Sequence, residues 1–304
     1  MILTTSTLRT LNGAFNSAWM DGLNSAIPEL KYLRIANKQP STKAKENLGW
    51  LDVMPGWKKR EGERQVYNLK TKDYEITHDE FTHTFAVKQT EFEDDNIGWV
   101  APAIAMQAQY AAMLADELVW MKLLAGFGNS EGLGFDGQYF FDSDHPGFAI
   151  GSAREISYSN VQAGTGAPWC LFDTRYSKTP AIALFERLAP EFTQLTKPTD
   201  DNVFHDGQFL WGGRARYSAA YGFHNKVFGS KAPLNADNYA AARLAMSTQG
   251  RPDGKPMAIL PNLLVYGPSN EAAVLKLINS DRLDSGASNP WYKSIETLQV
   301  EWLG

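Results

Sequence analysis

Residues 81–126 read FTHTFAVKQTEFEDDNIGWVAPAIAMQAQYAAMLADELVWMKLLAG, and the fold turns on this stretch. Its first part alternates. Phe81, His83, Phe85 and Val87 fall between Thr82, Thr84 and Lys88, a period of two that predicts a strand with one buried face. The last part has helical spacing instead. Ala101, Ile104, Ala108, Ala111, Ala115 and Leu118 form one stripe, and Met106, Tyr110, Met113, Leu114 and Met121 widen it, which predicts packing on more than one side. Pro102 is tolerable only in a first turn, and Gly126 and Gly128 close the run. A regular helix from about Ala101 to Gly126 follows, a rod of roughly 38 Å at 1.5 Å per residue. Between strand and helix stand Glu91, Glu93, Asp94 and Asp95, carboxylates that suit the positive end of a helix dipole.

Upstream, Arg64–Ile76 is a second extended run, separated from Phe81–Phe92 by the polar turn Thr77–Glu80. Two arms of about 12 residues predict a hairpin reaching about 40 Å. An isolated hairpin of that length is marginal in water and must lie on its parent domain or on a neighbouring subunit. Trp50, Leu51, Val53, Met54 and Trp57 lead into it, followed by the charged patch Lys58–Arg64 (KKREGER). Thr7–Ala26 carries Leu8, Leu11, Phe15, Trp19 and Leu23 at helical spacing, and the polar Asn37–Asn47 reads as a mobile connection. A tethered arm and a helix packed on its own domain both fit these first residues.

Downstream of Gly126 the chain is rich in glycine and aromatics, then loop-like to Pro168. Short strands are predicted at Trp169–Asp173, Ala181–Glu186, Val203–Phe204, Phe209–Trp211 and Tyr221–Phe228. The last part alternates helix and strand: Asn238–Thr248 and Asn270–Asn279 helical, Met257–Tyr266 and Glu296–Leu303 extended, a compact α/β unit.

The 304 residues are long enough to bury a sizeable core without a disulfide or a structural metal. Hydrophobic residues at 43% and charged residues at 21% exclude wholesale disorder. A net charge of −5, from 29 Lys+Arg and 34 Asp+Glu, argues against dense phosphate contacts with nucleic acid. The single cysteine, Cys170, excludes an internal disulfide and Cys-based zinc patterns and fits a reducing compartment. The first residues lack the basic leader and apolar core of a secretory signal, and no run of 18 apolar residues occurs, so a soluble, intracellularly made protein is expected.

No phosphate-binding glycine loop stands at a strand-to-helix junction, and no HExxH is found. Asp142, Asp144 and His145 form the best local constellation, able in principle to hold a divalent cation for a metal-assisted hydrolase. An Asp/Ser turn before Pro146 explains the same residues more simply.

The order of segments resembles the major capsid proteins of tailed phages with the Hong Kong 97-like fold, and more closely the major head subunits of Mu-like phages. Five stretches carry the resemblance: Asn47–Leu51 with Pro55 and Trp57; Phe92–Gly98; Asp136–Phe141 with Asp144-His145-Pro146; Trp169–Asp173 with Pro180–Arg187 and Pro190-Glu191; and Gly254–Pro256 with Ile259, Pro261, Leu264 and Val265. The resemblance implies an α+β chain. It would comprise an N-terminal arm (1–47), an extended hairpin loop (48–91), a peripheral domain with a spine helix (92–230) and an axial α/β domain (231–304). It implies a subunit that self-assembles as hexamers and pentamers into an icosahedral head around double-stranded DNA, without sequence-specific binding, in the host cytoplasm. Scaffold, portal and decoration proteins would be its partners, with no cofactor, no active site and no membrane. Another self-assembling component, a tail tube or baseplate protein, is the alternative from the same setting. Charge complementarity between Lys58, Lys59, Arg60, Arg64 and Glu91, Glu93, Asp94, Asp95 marks these residues as expected contacts between subunits.

Overall fold

The long helix forms where its spacing predicts, over Val100–Ala125, with Pro102 in the first turn. A computed structural model describes residues 4–48, 56, 57, 59, 74–128, 131–152, 154–283 and 285–304. In chain order the elements are α1 (Thr5–Ala26), β1 (Ala36–Pro40), β2 (Lys45–Asn47), β3 (Glu75–Thr77), β4 (Asp79–Lys88), α2 (Gln89–Glu93) and α3 (Val100–Ala125). There follow β5 (His145–Phe148), β6 (Glu155–Tyr158), β7 (Val161–Gln162), β8 (Trp169–Phe172), β9 (Ile182–Leu195), α4 (Asp201–Asp206), β10 (Gln208–Tyr221) and β11 (Val227–Ser230). The chain ends with α5 (Ala236–Ser247), β12 (Leu263–Tyr266), α6 (Glu271–Val274), which continues into a π-helical turn over Leu275–Asn279, and β13 (Glu296–Gln299).

Two sheets organise these elements. The first has the order β1-β9-β10-β4 and the second β13-β12-β8-β11-β7. In the second, β8 is buried on both faces because alternate side chains serve different cores. Cys170 and Phe172 face the cluster containing Trp120 and Leu123 of α3, while Trp169 and Leu171 pack with Tyr239 and Met246 of α5. Burial pushes the Cys170 thiol far above its ordinary range, so it is a structural thiol. The second sheet takes strands from both sides of residue 230, so a unit starting at residue 231 would hold only β12 and β13 of it.

Most of the expected hairpin arm Arg64–Ile76 lies outside the described residues, and the long two-stranded ribbon among the described residues is formed elsewhere. Of the second expected arm, Asp79–Lys88 pairs antiparallel with β10 along its length and Gln89 begins a helix, while Glu75–Thr77 at the end of the first arm pairs with β2. The 14-residue partners are β9 and β10. The sequence reads Ala181–Glu186 as a strand, but Pro190 hides its continuation to Leu195, because proline lacks the N–H a central ladder needs. Here the register slips between Arg214 and Arg216, where β9 advances from Glu191 to Leu188, and Pro190 lies in that bulge. Two further expectations change. Asn37–Asn47 is not a loose tether, since β1 pairs parallel with β9 and β2 with β3. Val203–Phe204 is helical within α4, closed by Gly207 in the left-handed region (φ 59°).

Helix α1 packs on its own subunit. Phe15 and Trp19 are buried with Phe92, Ile104 and Trp211, and Phe15 meets Trp211 edge to face at 5.4 Å. The helices touch at Gly22, where an added Cβ would sit 2.3 Å from the Ala105 carbonyl oxygen. Ile104, Ala108, Ala115, Val119, Trp120 and Leu123 of α3 are buried, while Met106, Tyr110, Met113 and Met121 stay exposed. The wide apolar face is therefore only half covered within one subunit.

These contacts give opposite signs to two glycine substitutions in one helix. Gly22→Val should destabilise by about 3 kcal/mol through overpacking. Gly13→Ala, with nothing within 4 Å of the new methyl, should stabilise by about 0.5–1 kcal/mol. Urea denaturation of both variants checks this.

Candidate functional site

Strands β2 and β3 pair from Lys45↔Thr77 to Asn47↔Glu75 and form the foot of the segment that joins them. Apolar burial fixes the foot: Leu48 packs among Ala183, Phe185 and Ala220, and its N–H donates to the Tyr74 carbonyl. A buried histidine fixes it again. His78 reaches Ser41 Oγ through Nε2 at 3.1 Å and Ser218 Oγ through Nδ1 at 3.0 Å, tying the end of β1 and the middle of β10 to the start of β4. Burial lowers the His78 pKa, and Arg216 and Arg187 act in the same direction against Glu46 and Asp79. Further on, the Gly56 N–H donates to Asp253 Oδ2 at 3.1 Å. Trp57 beside it is 99% exposed, and Lys59 is exposed too. Lys58, Arg60 and Arg64 lie outside the described residues.

The acidic group sits against the other end of the same four-stranded sheet, beside the start of β10. α2 is anchored by Phe92, fully buried against Phe209 and Trp211, so the rest of its last turn must face outward. Glu93, Asp94 and Asp95 are exposed and Glu91 is half-buried, its carboxylate accepting from Asn96 Nδ2. Asp95 holds φ at 61°, the left-handed turn that swings the chain from α2 into α3. The four carboxylates thus stand together at the amino-terminal end of the spine helix.

The constellation Asp142, Asp144, His145 does not assemble. Asp142 Oδ1 accepts from the Ser143 N–H at 2.6 Å, the turn geometry that Asp and Ser favour, and Asp144 points to solvent. His145 is fully buried and bonds instead to Asp136: Nδ1 donates to Oδ2 at 2.7 Å, and Nε2 faces the Phe140 carbonyl at 3.3 Å. His224 approaches the same Asp136 oxygen at 3.4 Å and stacks on His145 with ring centroids 4.0 Å apart and planes 10° off parallel. Tyr158 bonds His224 Nδ1, and burial together with Asp136 raises the phenol well above its ordinary range, so it stays a donor. Asp136 and His224 escaped the sequence reading because one is nine residues before His145 and the other 79 after it. Asp136 entered the sequence reading only as part of the family-like stretch Asp136–Phe141.

Asp136, His145 and His224 place one ligand atom each within 4.8 Å of one another. Metals bind imidazole nitrogen near the ring plane, and one ion cannot lie in the planes of two stacked, nearly parallel rings. The cluster is a hydrogen-bonded brace. It joins the segment after α3 to β5, β6 and the His224–Lys226 turn, where the chain crosses from the first sheet to the second.

The sequence pattern described as Mu-like prophage major head subunit gpT matches residues 8–303. The chain belongs to this family. The Mu-like prophage FluMu major head subunit of Haemophilus influenzae is 33% identical over 293 residues, 94% of this chain and 93% of that one. The major capsid protein of Escherichia phage Mu is 30% identical over 312 residues, covering both chains fully. Among solved structures, the procapsid subunit of bacteriophage JBD30 superposes with a TM-score of 0.85 at 33% identity, over 99% of this chain and 100% of that chain. The JBD30 capsid decorated with minor capsid protein trimers gives 0.73 at 27% identity, over 90% of each chain. This Mu-like head subunit is thus a major capsid protein with the α+β Hong Kong 97-like fold, and its work is to form the phage head shell. Nothing favours the metal-assisted hydrolase built on Asp142, Asp144 and His145.

The brace makes the head subunit sensitive to acid. Burial acts to raise the Asp136 carboxyl, but the His145 bond and the charges of His224 and His145 outweigh it and hold the carboxyl below its ordinary 3.8. A depressed carboxyl contributes stability that is complete above about pH 4 and lost as pH falls through the folded value. Asp136→Asn should cost about 2–3 kcal/mol at pH 7 and flatten the fall of unfolding free energy below about pH 4. Urea titrations across that range check both.

Proposed function

We propose that the shell is held by the segment between β2 and β3, which reaches a neighbouring subunit and brings Lys58, Lys59, Arg60 and Arg64 to the Glu91, Glu93, Asp94 and Asp95 group of that neighbour. One observation carries this reading: Trp57, in the segment that leaves a foot fixed by Leu48 and His78, is 99% exposed in the single subunit. An indole in full contact with water is a large apolar area awaiting cover, and aromatic residues dominate interface energetics. Glu93, Asp94 and Asp95 are exposed and Glu91 is half-buried, since Phe92 turns the apolar side of α2 inward. Exposed ion pairs contribute about 0–1 kcal/mol each, so they orient assembly while apolar burial holds it.

In this reading the four-stranded sheet with α3 is the peripheral layer and the five-stranded sheet with α5 and α6 the axial one. Hexamers and pentamers of the subunit enclose double-stranded DNA without reading its sequence. The net charge of −5 supports a wall that does not cling to its contents. Assembly takes place in the host cytoplasm with scaffold and portal proteins, and decoration by a minor capsid protein follows the precedent of the decorated JBD30 capsid. The subunit carries no catalytic activity. The carboxylates inside it are engaged in bracing: Asp136 with two histidines, and Asp116 with the N–H groups of Lys31 and Tyr32.

Reversing Lys58, Lys59 and Arg60 to Glu should reduce the yield of closed shells and change the salt dependence of assembly. Adding Glu91→Lys, Asp94→Lys and Asp95→Lys should restore part of the loss. Sedimentation and negative-stain microscopy read both. Normal shells with unaltered salt dependence in the triple reversal would refute the contact.

A further inference from the structure

A groove of about 440 Å³ lies between α3 and the four-stranded sheet, and Tyr110 on its lining is exposed. Trp19, Phe81, Phe85, Leu114 and Phe192 form its walls, so most of the lining is apolar. Two local features hollow it out. β9 bulges at Pro190, which lines the groove. Gly213 leaves the floor bare, since a Cβ there would stand 3.1 Å from the Trp19 ring. Gln107 and His83 bring hydrogen-bond acceptors to the lining. Arg214 lines it too, but its charge is already met by Glu80 at 2.9 Å.

Trp57 is the matching part. The Gly56 N–H donates to Asp253 Oδ2, and Gly56 packs so closely on Arg251 that an added Cβ would meet the guanidinium at 2.6 Å. The indole therefore projects from an anchored backbone, and at 99% exposure it touches almost nothing of its own chain. Its own groove does not hold it, so the groove it fits is that of a second copy. Charge sets a register between the two. Lys58, Lys59 and Arg60 follow Trp57 at once, and three residues of extended chain span about 10 Å. On the receiving side, Phe85 of the groove wall stacks on Trp211 at 5.8 Å, and Trp211 stacks at 5.8 Å on Phe92 of α2. That short helix carries Glu91 and Glu93 and leads into Asp94 and Asp95. An indole seated in the groove thus brings the three cations within reach of the acidic turn.

We propose that Trp57 of one copy fills the groove between α3 and the four-stranded sheet of a neighbouring copy, its indole N–H donating to Gln107 or His83. This rests on the reading above, that the segment between β2 and β3 reaches a neighbour, and adds the seat of its apolar anchor. Aromatic side chains in fitted pockets carry most of the energy of such contacts, while exposed charges orient them.

Photo-crosslinking in assembled shells tests the seat. Trp57→p-benzoylphenylalanine keeps an aromatic anchor, and mixing this chain with isotopically labelled chain that retains Trp57 sustains assembly and separates contacts between copies from contacts within one. Cross-links from position 57 to residues 107–114 or 81–85 of a labelled copy are expected, mapped by mass spectrometry. Trp57→Ala and Ala111→Phe, the second filling the groove from α3, should each lower shell yield about tenfold, and the double variant no further, because both remove the same contact. Should Ala111→Phe fail to fold, the cross-link map decides by itself. Cross-links to another region of a neighbouring copy overturn the seat and leave the wider reading standing. Their confinement to one chain, their absence, or their capture by a different protein overturns both.

Discussion

Everything in this subunit is referred to one rod. α3 presents Ile104 and Ala108 to α1 and to the aromatic cluster of Phe92, Phe209 and Trp211, then Val119, Trp120 and Leu123 to the region where the two sheets meet. At about 1.5 Å per residue, 26 residues give a lever of about 39 Å whose halves are seated in different cores. Its far end is locked as well as packed: Tyr221, the last residue of β10, donates to the Lys122 carbonyl at 2.7 Å while the Lys122 ammonium lies over the Tyr221 ring. The rod thereby fixes the end of one sheet to the approach of the other.

What the frame leaves uncovered is informative. Met106, Tyr110, Met113 and Met121 lie on the outer side of the same helix that is buried elsewhere, and Trp57 stands free of its own chain. Contiguous large apolar side chains left in water are the kind of surface that partners cover.

The buried polar groups perform related work. Asp116 takes the N–H groups of Lys31 and Tyr32 where the chain turns from α1 toward β1. Asp173 holds the Arg175 guanidinium and the Leu260 N–H beside β8, and Asp136 holds two stacked histidines at the crossover between sheets. Each carboxylate joins segments that are distant in sequence, and each sits where the path of the chain has to be specified rather than where a reagent is needed. A half-satisfied buried carboxylate would be costly, so these joints admit few alternative paths.

The sequence by itself determined the features that rest on local spacing and local chemistry. The spine helix was legible because Ile104, Ala108 and Ala115 recur at helical intervals and Pro102 is tolerated only in a first turn. β8 was legible from its continuous apolar run, and the family from five ordered motifs. Only the tertiary structure decided which strand pairs with which. Phe81–Val87 alternates in the same way whether its partner is Arg64–Ile76 or β10, so the period gave a face and no neighbour. The far half of β9 stayed hidden because Pro190 is tolerated only in a bulge of β9 that shows once it is registered against Arg214–Arg216. The Asp136, His145 and His224 brace was equally out of reach. A side chain meets its partner across space, while a sequence window sees only those within a few residues along the chain.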